Sequence, residues 1–406
     1  MRAILSITVL LIVVVQQSCS PENKVDASSP KLIWKTLLTD VESVGTTFYG
    51  DVQYSGNILL GGMSNGRCLY FLDTETGNIK WKWNDFLNPP KSWGTRWTYQ
   101  YNNLVFIMVG LDMTCLNLGT GQTTWKRRTV SDFGTYSFGI GNTYYVPAWY
   151  YPNGDGTSEG KVVSGNLLDG SGEEVLVTPE YSRAYIDPNQ QKGIIYSCDP
   201  VTIGNDQGLL IFFGDPLPDY HINHFIGLYN LTQKRWVYSK KLFLLNVRAS
   251  MGLPIIKNNK VYNSTLRTLQ CHDLQTGEML WTVQQSDLGG SQGWAAGKIL
   301  TTTQDRITHC IDPDTGKELW ALTTSGNPGL IKELNGIAYF AGGNSKLFAV
   351  DIAAGKILWQ FSSPDEKIYK QGYFQDCVSV VPGIDGNKGR VIVPSFVNAF
   401  CFEAIR

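Results

Sequence analysis

The chain has 406 residues, 43 % of them apolar and 17 % charged, with a formal net charge of −1. That balance excludes a disordered chain, which could not bury enough apolar surface to offset its conformational entropy, and it leaves no basic field for nucleic acid. The 12 Trp and 42 Gly suit a β-rich fold with many turns, long enough for one large repeat array or two domains.

The first element in the chain is a targeting segment. Arg2 precedes an apolar run from Ile4 to Val15, which has the length of a signal-peptide core and is too short to span a bilayer. It ends in Gln16-Gln17-Ser18-Cys19, which resembles a bacterial lipoprotein signal with Cys19 as the lipidated residue. The departure is Gln16, where that signal usually has an aliphatic residue. Residues 1–18 therefore read as a signal peptide, with ordinary secretion or an uncleaved anchor as alternatives. Residues 19–30, polar and containing Pro21 and Pro30, read as a tether. No later run is apolar enough to cross a membrane. The expectation is a lipid-anchored body, 31–406, in a bacterial envelope, most simply at the outer membrane on its periplasmic or surface face.

The body opens with Lys31-Leu-Ile-Trp34-Lys-Thr-Leu-Leu38, a strand without a preceding partner. Leu69–Trp83 then reads as strand, turn, strand. Asp73-Thr74-Glu75-Thr76-Gly77 supplies a carboxylate that can accept backbone N–H bonds and a glycine that tolerates positive φ, and Trp81 follows in the next strand. The hairpin recurs. Cys115 to Trp125, with Asn117 and Gly121, is a clear copy. Asn166 to Leu176 is a degraded copy that aligns Gly172 with the turn glycine and lacks the Trp. Leu228 to Trp236 is a weak copy with a shortened turn. Three strong copies carry Asp273, Gly277 and Trp281; Asp312, Gly316 and Trp320; and Asp351, Gly355 and Trp359. The last two intervals are both 39 residues (277 to 316 and 316 to 355).

A second strand precedes each hairpin, at 58–60, 104–108, 144–146, 208–213, 260–262, 298–300, 337–340 and 390–393. With an inner strand before each, the unit has four antiparallel strands and a period near 40, the signature of a β-propeller blade. Asn398–Glu403 is a third strand with no fourth after it, so it should pair with the N-terminal strand carrying Trp34. The expected fold is all-β: an eight-bladed propeller closed by its two ends. The third and fourth blades carry inserts, 151–160 and 215–224, and inserted loops carry function more often than scaffold strands do.

The recurring pattern small-x-Asp-x-x-Thr-Gly-x-x-x-Trp resembles the tryptophan-docking repeat of the pyrroloquinoline-quinone (PQQ) type propellers. The resemblance covers nearly all of 31–406. It implies that each Asp and Gly builds a turn, that each Trp packs between neighbouring blades, and that these residues are scaffold. Two kinds of protein share the repeat. They are the quinoprotein dehydrogenases, which use PQQ with Ca²⁺, and the non-catalytic envelope lipoproteins similar to BamB. The chain lacks the adjacent Cys pair of the quinoprotein alcohol dehydrogenases and any recognisable Glu-Asn-Asp calcium set. No catalytic residue, metal or cofactor is therefore expected. The leading expectation is a protein-binding scaffold, with a glycan- or small-anion-binding propeller and a PQQ/Ca²⁺ dehydrogenase as alternatives.

Cys115, Cys271, Cys310 and Cys401 share one repeat position, a buried apolar slot. Cys68, Cys198 and Cys377 remain, and an oxidising compartment would allow one disulfide among them. His272 and His309 read as ordinary strand residues. His221, His224 and Asp219 have a spacing that could bind a metal on a helix, but Pro216 and Pro218 argue for a loop.

The connectors from each outer strand to the next inner strand should share one rim of the channel. They bring together Arg96 and Trp97, Arg183 and Tyr185, Arg248, Gln292 and Trp294, and Lys370, Gln371 and Tyr373. Arginines interleaved with aromatics suit a peptide, a sugar or an anion. The stretch Leu245 to Arg248 also loosely resembles the connector through which the BamB-like lipoproteins dock a partner.

Overall fold

Each hairpin is set by its turn. Asp73 Oδ1 accepts from the N–H groups of Glu75 and Thr76, both at 2.9 Å, and Gly77 N–H closes onto the Asp73 carbonyl at 2.8 Å. Gly77 sits at φ +73°, a left-handed conformation that a side chain would oppose. The same side-chain-to-backbone pattern holds the turns at Asn117, Asp273 and Asp312. The chain then returns so that Trp81 lies opposite Phe71. In other blades the indole lies opposite a cysteine: Trp125 with Cys115, Trp281 with Cys271, Trp320 with Cys310, and Trp34 with Cys401.

The structure is a computed structural model that describes residues 30–38, 52–61, 68–85, 98–109, 112–128, 132–133, 138–150, 159–181, 193–217, 221–247, 254–264, 267–284, 288–324, 329–342, 346–369, 372–375, 377–384, 387–395 and 397–406. Their strands form eight antiparallel sheets, the blades of an eight-bladed propeller. Blade 1 runs Val52–Tyr54, Asn57–Gly61, Leu69–Asp73 and Ile79–Trp83, from the channel outward. Every expected second strand is a strand of this kind. In blade 3 the inner strand is in two pieces, Asp132–Phe133 and Phe138–Ile140, both paired with Thr143–Tyr150. Blade 8 is Ser379–Val381, Arg390–Pro394 and Asn398–Glu403, completed by Leu32–Leu37 from the other end of the chain.

The blades are joined by the docking residues of the outer strands. In five seams the indole N–H crosses to the residue after the Asp slot of the next blade. Trp34 Nε1 donates to Thr74 O at 3.0 Å, Trp81 to Leu118 O at 2.9 Å, Trp125 to Leu167 O at 2.6 Å, Trp281 to Pro313 O at 3.1 Å and Trp320 to Ile352 O at 2.8 Å. The turn glycine of the next blade lies against the same ring. A Cβ on Gly77 would stand 2.6 Å from Trp34, on Gly121 2.6 Å from Trp81, and on Gly355 2.7 Å from Trp320. The turn glycine is thus required both for its φ and for the indole behind it. Trp359 is buried in the last seam, beside Phe402 and Ala404.

Two copies depart from the sequence reading. In blade 4 the turn is not shortened. Lys234 takes the glycine position at φ +53°, and Tyr238 takes the docking position, opposite Leu228. Its Oη donates to Leu274 O at 3.1 Å, while Trp236 packs on Tyr229 instead. In blade 3 the turn glycine is Gly170, bonded to Asn166 O at 2.9 Å and lying against Trp125, and not Gly172. Its docking position, opposite Ser164, holds Glu174. The seam between blades 3 and 4 is closed by other means, with Tyr181 edge-on to Phe213 at 5.7 Å and Gly160 N–H bonded to Gly193 O at 3.2 Å.

The seven described cysteines are buried thiols with no disulfide among them, so the bridge considered for Cys68, Cys198 and Cys377 is not formed. Burial pushes the thiols of Cys115, Cys271 and Cys401 up to about 12 and that of Cys310 to about 11, as expected for packing atoms rather than nucleophiles.

Ring closure has its own device. Asp365, in the short 3-10 turn Pro364–Lys367 between blades 7 and 8, is fully buried. Its Oδ2 accepts from Ser395 Oγ at 2.6 Å and Asn398 Nδ2 at 2.7 Å, and its Oδ1 from Lys35 Nζ at 2.8 Å. One carboxylate therefore ties the blade 7–8 connector and the C-terminal strand to the N-terminal strand.

The seam assignment predicts that Trp320→Ala lowers the unfolding free energy by about 3–5 kcal/mol. Leu319→Ala, at a neighbour that is 49 % exposed, should change it by less than about 0.5 kcal/mol. Urea denaturation checks both, and equal losses would contradict the assignment. Breaking the closure with Asp365→Ala should cost about 1–3 kcal/mol by leaving the buried Ser395 Oγ and Asn398 Nδ2 without their acceptor. Hydrogen exchange should then quicken first in Leu32–Leu37; uniform quickening around the ring would mean that Asp365 is not a closure device.

Candidate functional site

The described residues contain one chain of groups with the order of a nucleophile relay. Glu318 Oε2 is 2.6 Å from His309 Nδ1, and His309 Nε2 is 3.4 Å from Thr303 Oγ1. Burial rejects the catalytic reading. Thr303 is 0 % exposed, and its hydroxyl also meets the Asp305 carboxylate and, at 3.1 Å, Ile307 O. Its single proton is committed and no substrate carbonyl could approach it.

Two other histidines are structural too. His224 lies in a strand of blade 4 rather than in a loop, fully buried with its ring 5.1 Å from Tyr196. His272, in blade 5, is buried against Phe243 of blade 4 at 4.9 Å and its Nδ1 donates to Gly277 O at 3.1 Å. Burial holds its pKa below 6.5, against the opposing pull of the Gly277 carbonyl and the Glu278 carboxylate. The folded state therefore binds this proton less readily than the unfolded chain. The contribution of His272 is complete above pH 6.5 and is lost as the pH falls below it. The stability gap between wild type and His272→Gln should accordingly shrink from pH 7.5 to pH 5, by at most about 1.4 kcal/mol per pH unit. Denaturation at the two pH values checks this, and an unchanged gap would contradict it.

Buried carboxylates are similarly occupied. Burial raises the Asp199 carboxyl to about 7, and Ser197 Oγ donates to it at 2.7 Å. Asp215 accepts from Lys240 at 2.7 Å, and Lys240 lies over the Phe225 ring at 4.4 Å. Among the described residues no group of three His, Cys, Asp or Glu side chains could hold a metal ion.

The two rims of the ring differ in kind. One is made of tight turns. The inner hairpins close with two left-handed residues, Ser55-Gly56, Asn258-Asn259, Ala296-Gly297 and Asn335-Gly336, the pattern that matches strand twist. The Asp turns stand beside them, as when Thr74 N–H bonds Gly56 O at 3.0 Å. The opposite rim carries the connectors, and there blade 4 is raised. Its strands Ile194–Ile203, Asp206–Pro216, Ile222–Asn230 and Arg235–Val247 have 10, 11, 9 and 13 residues, against 5 or 6 in the second and third strands of blade 1 or 2. Counted from the Asp turn, its second and third strands form nine pairs against five or six in blades 1 and 2, so the wall projects on the connector side by about 10–13 Å at about 3.3 Å per residue, and its inner hairpin is also two residues longer on the turn rim. Residues 215–216 and 222–224, expected as inserted loop, are part of this wall. Its long outer edge is broken by four register shifts, which blunt it against unwanted pairing.

Of the connector residues singled out from sequence, Arg96, Trp97, Arg183, Tyr185, Arg248, Lys370 and Gln371 lie outside the described residues, as does Cys19. Gln292 and Trp294 lie on the inner strand of blade 6, Leu288–Ala295, and face blade 5: Gln292 Nε2 is 3.4 Å from Tyr262 O, and the Trp294 ring is 5.9 Å from that of Tyr262. Tyr373 is 36 % exposed, beside the bridge between Phe374 and Ser395.

A cavity of about 570 Å³ opens on the turn rim, across the inner hairpins of blades 3, 4 and 5. Ile140, Val201 and Ile256 give it apolar walls, and Thr202, Gln207 and Lys257 polar ones. It was not legible in the sequence, because its residues come from three separate turns with no shared motif.

With this geometry in hand, comparison with known proteins is informative. The family described as outer membrane protein assembly factor BamB matches residues 245–322 and 266–395. No curated protein matches the chain in sequence. Among solved structures, BamB from Moraxella catarrhalis is 12 % identical, with a TM-score of 0.56 over 92 % of this chain and 100 % of that one. A europium-containing methanol dehydrogenase is 11 % identical, with a TM-score of 0.65 over 89 % of this chain and 84 % of that one. Sqt1 from Saccharomyces cerevisiae is 9 % identical, with a TM-score of 0.67 over 94 % and 100 %. At these identities the structures speak to the shared propeller fold alone.

Proposed function

We propose that this β-propeller of PQQ-like repeats is a non-catalytic scaffold of a bacterial envelope that binds a protein partner and is held to a membrane, most simply the outer membrane, by lipid on Cys19. The observation that carries the reading is the match of residues 245–395 to an outer membrane assembly factor family. The geometry is consistent with it. The repeat residues are spent on turns and on the seams between blades.

The connector rim is the proposed docking face. It is the rim on which blade 4 rises, and Arg248 follows Val247, the last residue of that wall, in the chain. Arg96, Arg183 and Arg248 would supply bidentate contacts to acidic groups of the partner, with Trp97 and Tyr185 as flat apolar anchors. An anionic glycan on the same arginines is the alternative ligand.

The likeness in fold to a methanol dehydrogenase motivates one control. PQQ and Ca²⁺ are added to the purified protein, and the absorption spectrum and dye-linked alcohol oxidation are recorded. Stoichiometric binding with turnover would overturn the scaffold reading. Affinity capture from detergent-solubilised envelope should recover a protein partner, and Arg96→Ala with Arg248→Ala should weaken that capture at least tenfold without lowering the melting temperature. Cys19→Ser should move the protein from the membrane to the soluble fraction.

A further inference from the structure

The cavity on the turn rim has a specific origin. Two residues before each inner turn the chain places Gln53, Gln100, Gly139, Thr202, Ile256, Trp294 and Glu333, in blades 1 to 7. In a two-residue hairpin the pair flanking the turn exchanges both ladder bonds, so the next pair directs its N–H and C=O groups off the strand edges. Gln53 opposite Ile58, Thr202 opposite Gln207 and Ile256 opposite Val261 are such pairs. Their backbone groups therefore point off the inner edge, toward the channel.

In blades 1 and 2 the protein occupies this edge with its own carboxamides. Gln53 Nε2 donates to Val380 O of blade 8 at 3.0 Å, and Gln100 Nε2 donates to Gln53 O of blade 1 at 3.0 Å. Each side chain reaches back to the preceding blade. In blades 3 and 5 the equivalent residues are Gly139 and Ile256; in blade 4, whose inner hairpin is two residues longer, the residue in the same register is Pro200, with Thr202 above it on the same edge, and none of these carries an amide. The cavity opens where these bridges cease. At blade 6 the large Trp294 fills the corresponding position against Tyr262.

We propose that this cavity is a binding site for a peptide segment that presents a side-chain carboxamide, Gln or Asn. The ligand amide would donate to the inner-edge carbonyl of Pro200 or Thr202, both of which line the cavity, as Gln100 does to Gln53. Ile140, Val201 and Leu274 provide apolar contact for the ligand's aliphatic stem, and Asn258 and Gln207 stand at the polar side. Lys257 is the one charged residue of the lining, which selects a neutral or singly acidic peptide over a basic one. The volume lies within the range of about 300–1,000 Å³ usual for ligand pockets. The site is on the rim opposite the connectors, so it stands or falls independently of the scaffold reading.

The test is titration of the full-length protein, followed by amide NMR or calorimetry, with acetyl-Gly-Gln-Gly-amide, its Leu analogue and its Lys analogue. The expected result is saturable binding of the Gln peptide, with shifts centred on Ile140, Thr202 and Ile256–Asn259, and at least tenfold weaker binding of the other two. Ile256→Gln, which rebuilds the protein's own bridge toward Pro200 O, should weaken binding at least tenfold while keeping the melting temperature. Ile256→Trp, which fills the position as Trp294 does in blade 6, serves the same purpose if the first variant is poorly folded. Equal binding of the Gln and Leu peptides, no saturable binding at millimolar peptide, or undiminished binding in a folded Ile256 variant would each overturn the proposal.

Discussion

The fold depends on one contact repeated around the ring: an aromatic donor on the outer strand of a blade that reaches the main-chain carbonyl of the next blade's turn, with that turn's glycine against its ring. A single hairpin cannot bury so large a side chain; only the next blade can. The contact therefore makes each unit dependent on its successor. It also explains why the position opposite the indole is cysteine, alanine or phenylalanine, and leucine opposite Tyr238, since the slot asks for apolar volume. Where the indole is lost the ring finds substitutes. Tyr238 keeps the same acceptor geometry in blade 4, and Tyr181 with Phe213 closes the seam after blade 3.

A ring of such units has a joint where the chain ends meet. The outer strand of blade 8 comes from the N-terminal side, so its pairing carries the long loop-closure entropy of the whole array. Trp34 repeats the common seam there, and Asp365 adds a buried hub with three donors. A buried carboxylate stabilises only when its donors are all present, which makes this joint specific rather than merely sticky. Closure pairs the two chain ends within blade 8, and the long outer edge of blade 4 is blunted by register shifts.

Because the seams absorb the repeat residues, function falls to what the repeats do not share. The two rims offer different chemistry. Among the described residues the turn rim is built largely from two-residue turns and Asp turns, interrupted by the longer connection of blade 8 and by the cavity beside the longer inner hairpin of blade 4. The connector rim is irregular, and blade 4 rises from it. A large ligand such as a protein meets the connector side first, whereas a small group bearing an amide fits the turn side.

How much of this was legible in the residues follows the range of the forces involved. The turn, the alternation of the flanking strands and the 39-residue spacing are local, and Asp73, Gly77 and Trp81 showed them without coordinates. Blade number and closure by Trp34 and Asn398–Glu403 followed from counting. Register did not: Trp236 looked like the docking residue because it is a tryptophan. The constant distance from Asn230 across the turn places Tyr238 there instead, with Lys234 accepting the left-handed conformation. Nor could the sequence show that 215–216 and 222–224 prolong strands, since Pro216 and the histidines read as loop until pairing partners were known. The cavity required three inner turns to be brought side by side. Local turn chemistry and repeat periodicity were thus determined by the sequence itself. Which residues meet across a seam, and where the inner edge is left open, was decided only in the closed ring, because those contacts join residues far apart in the chain.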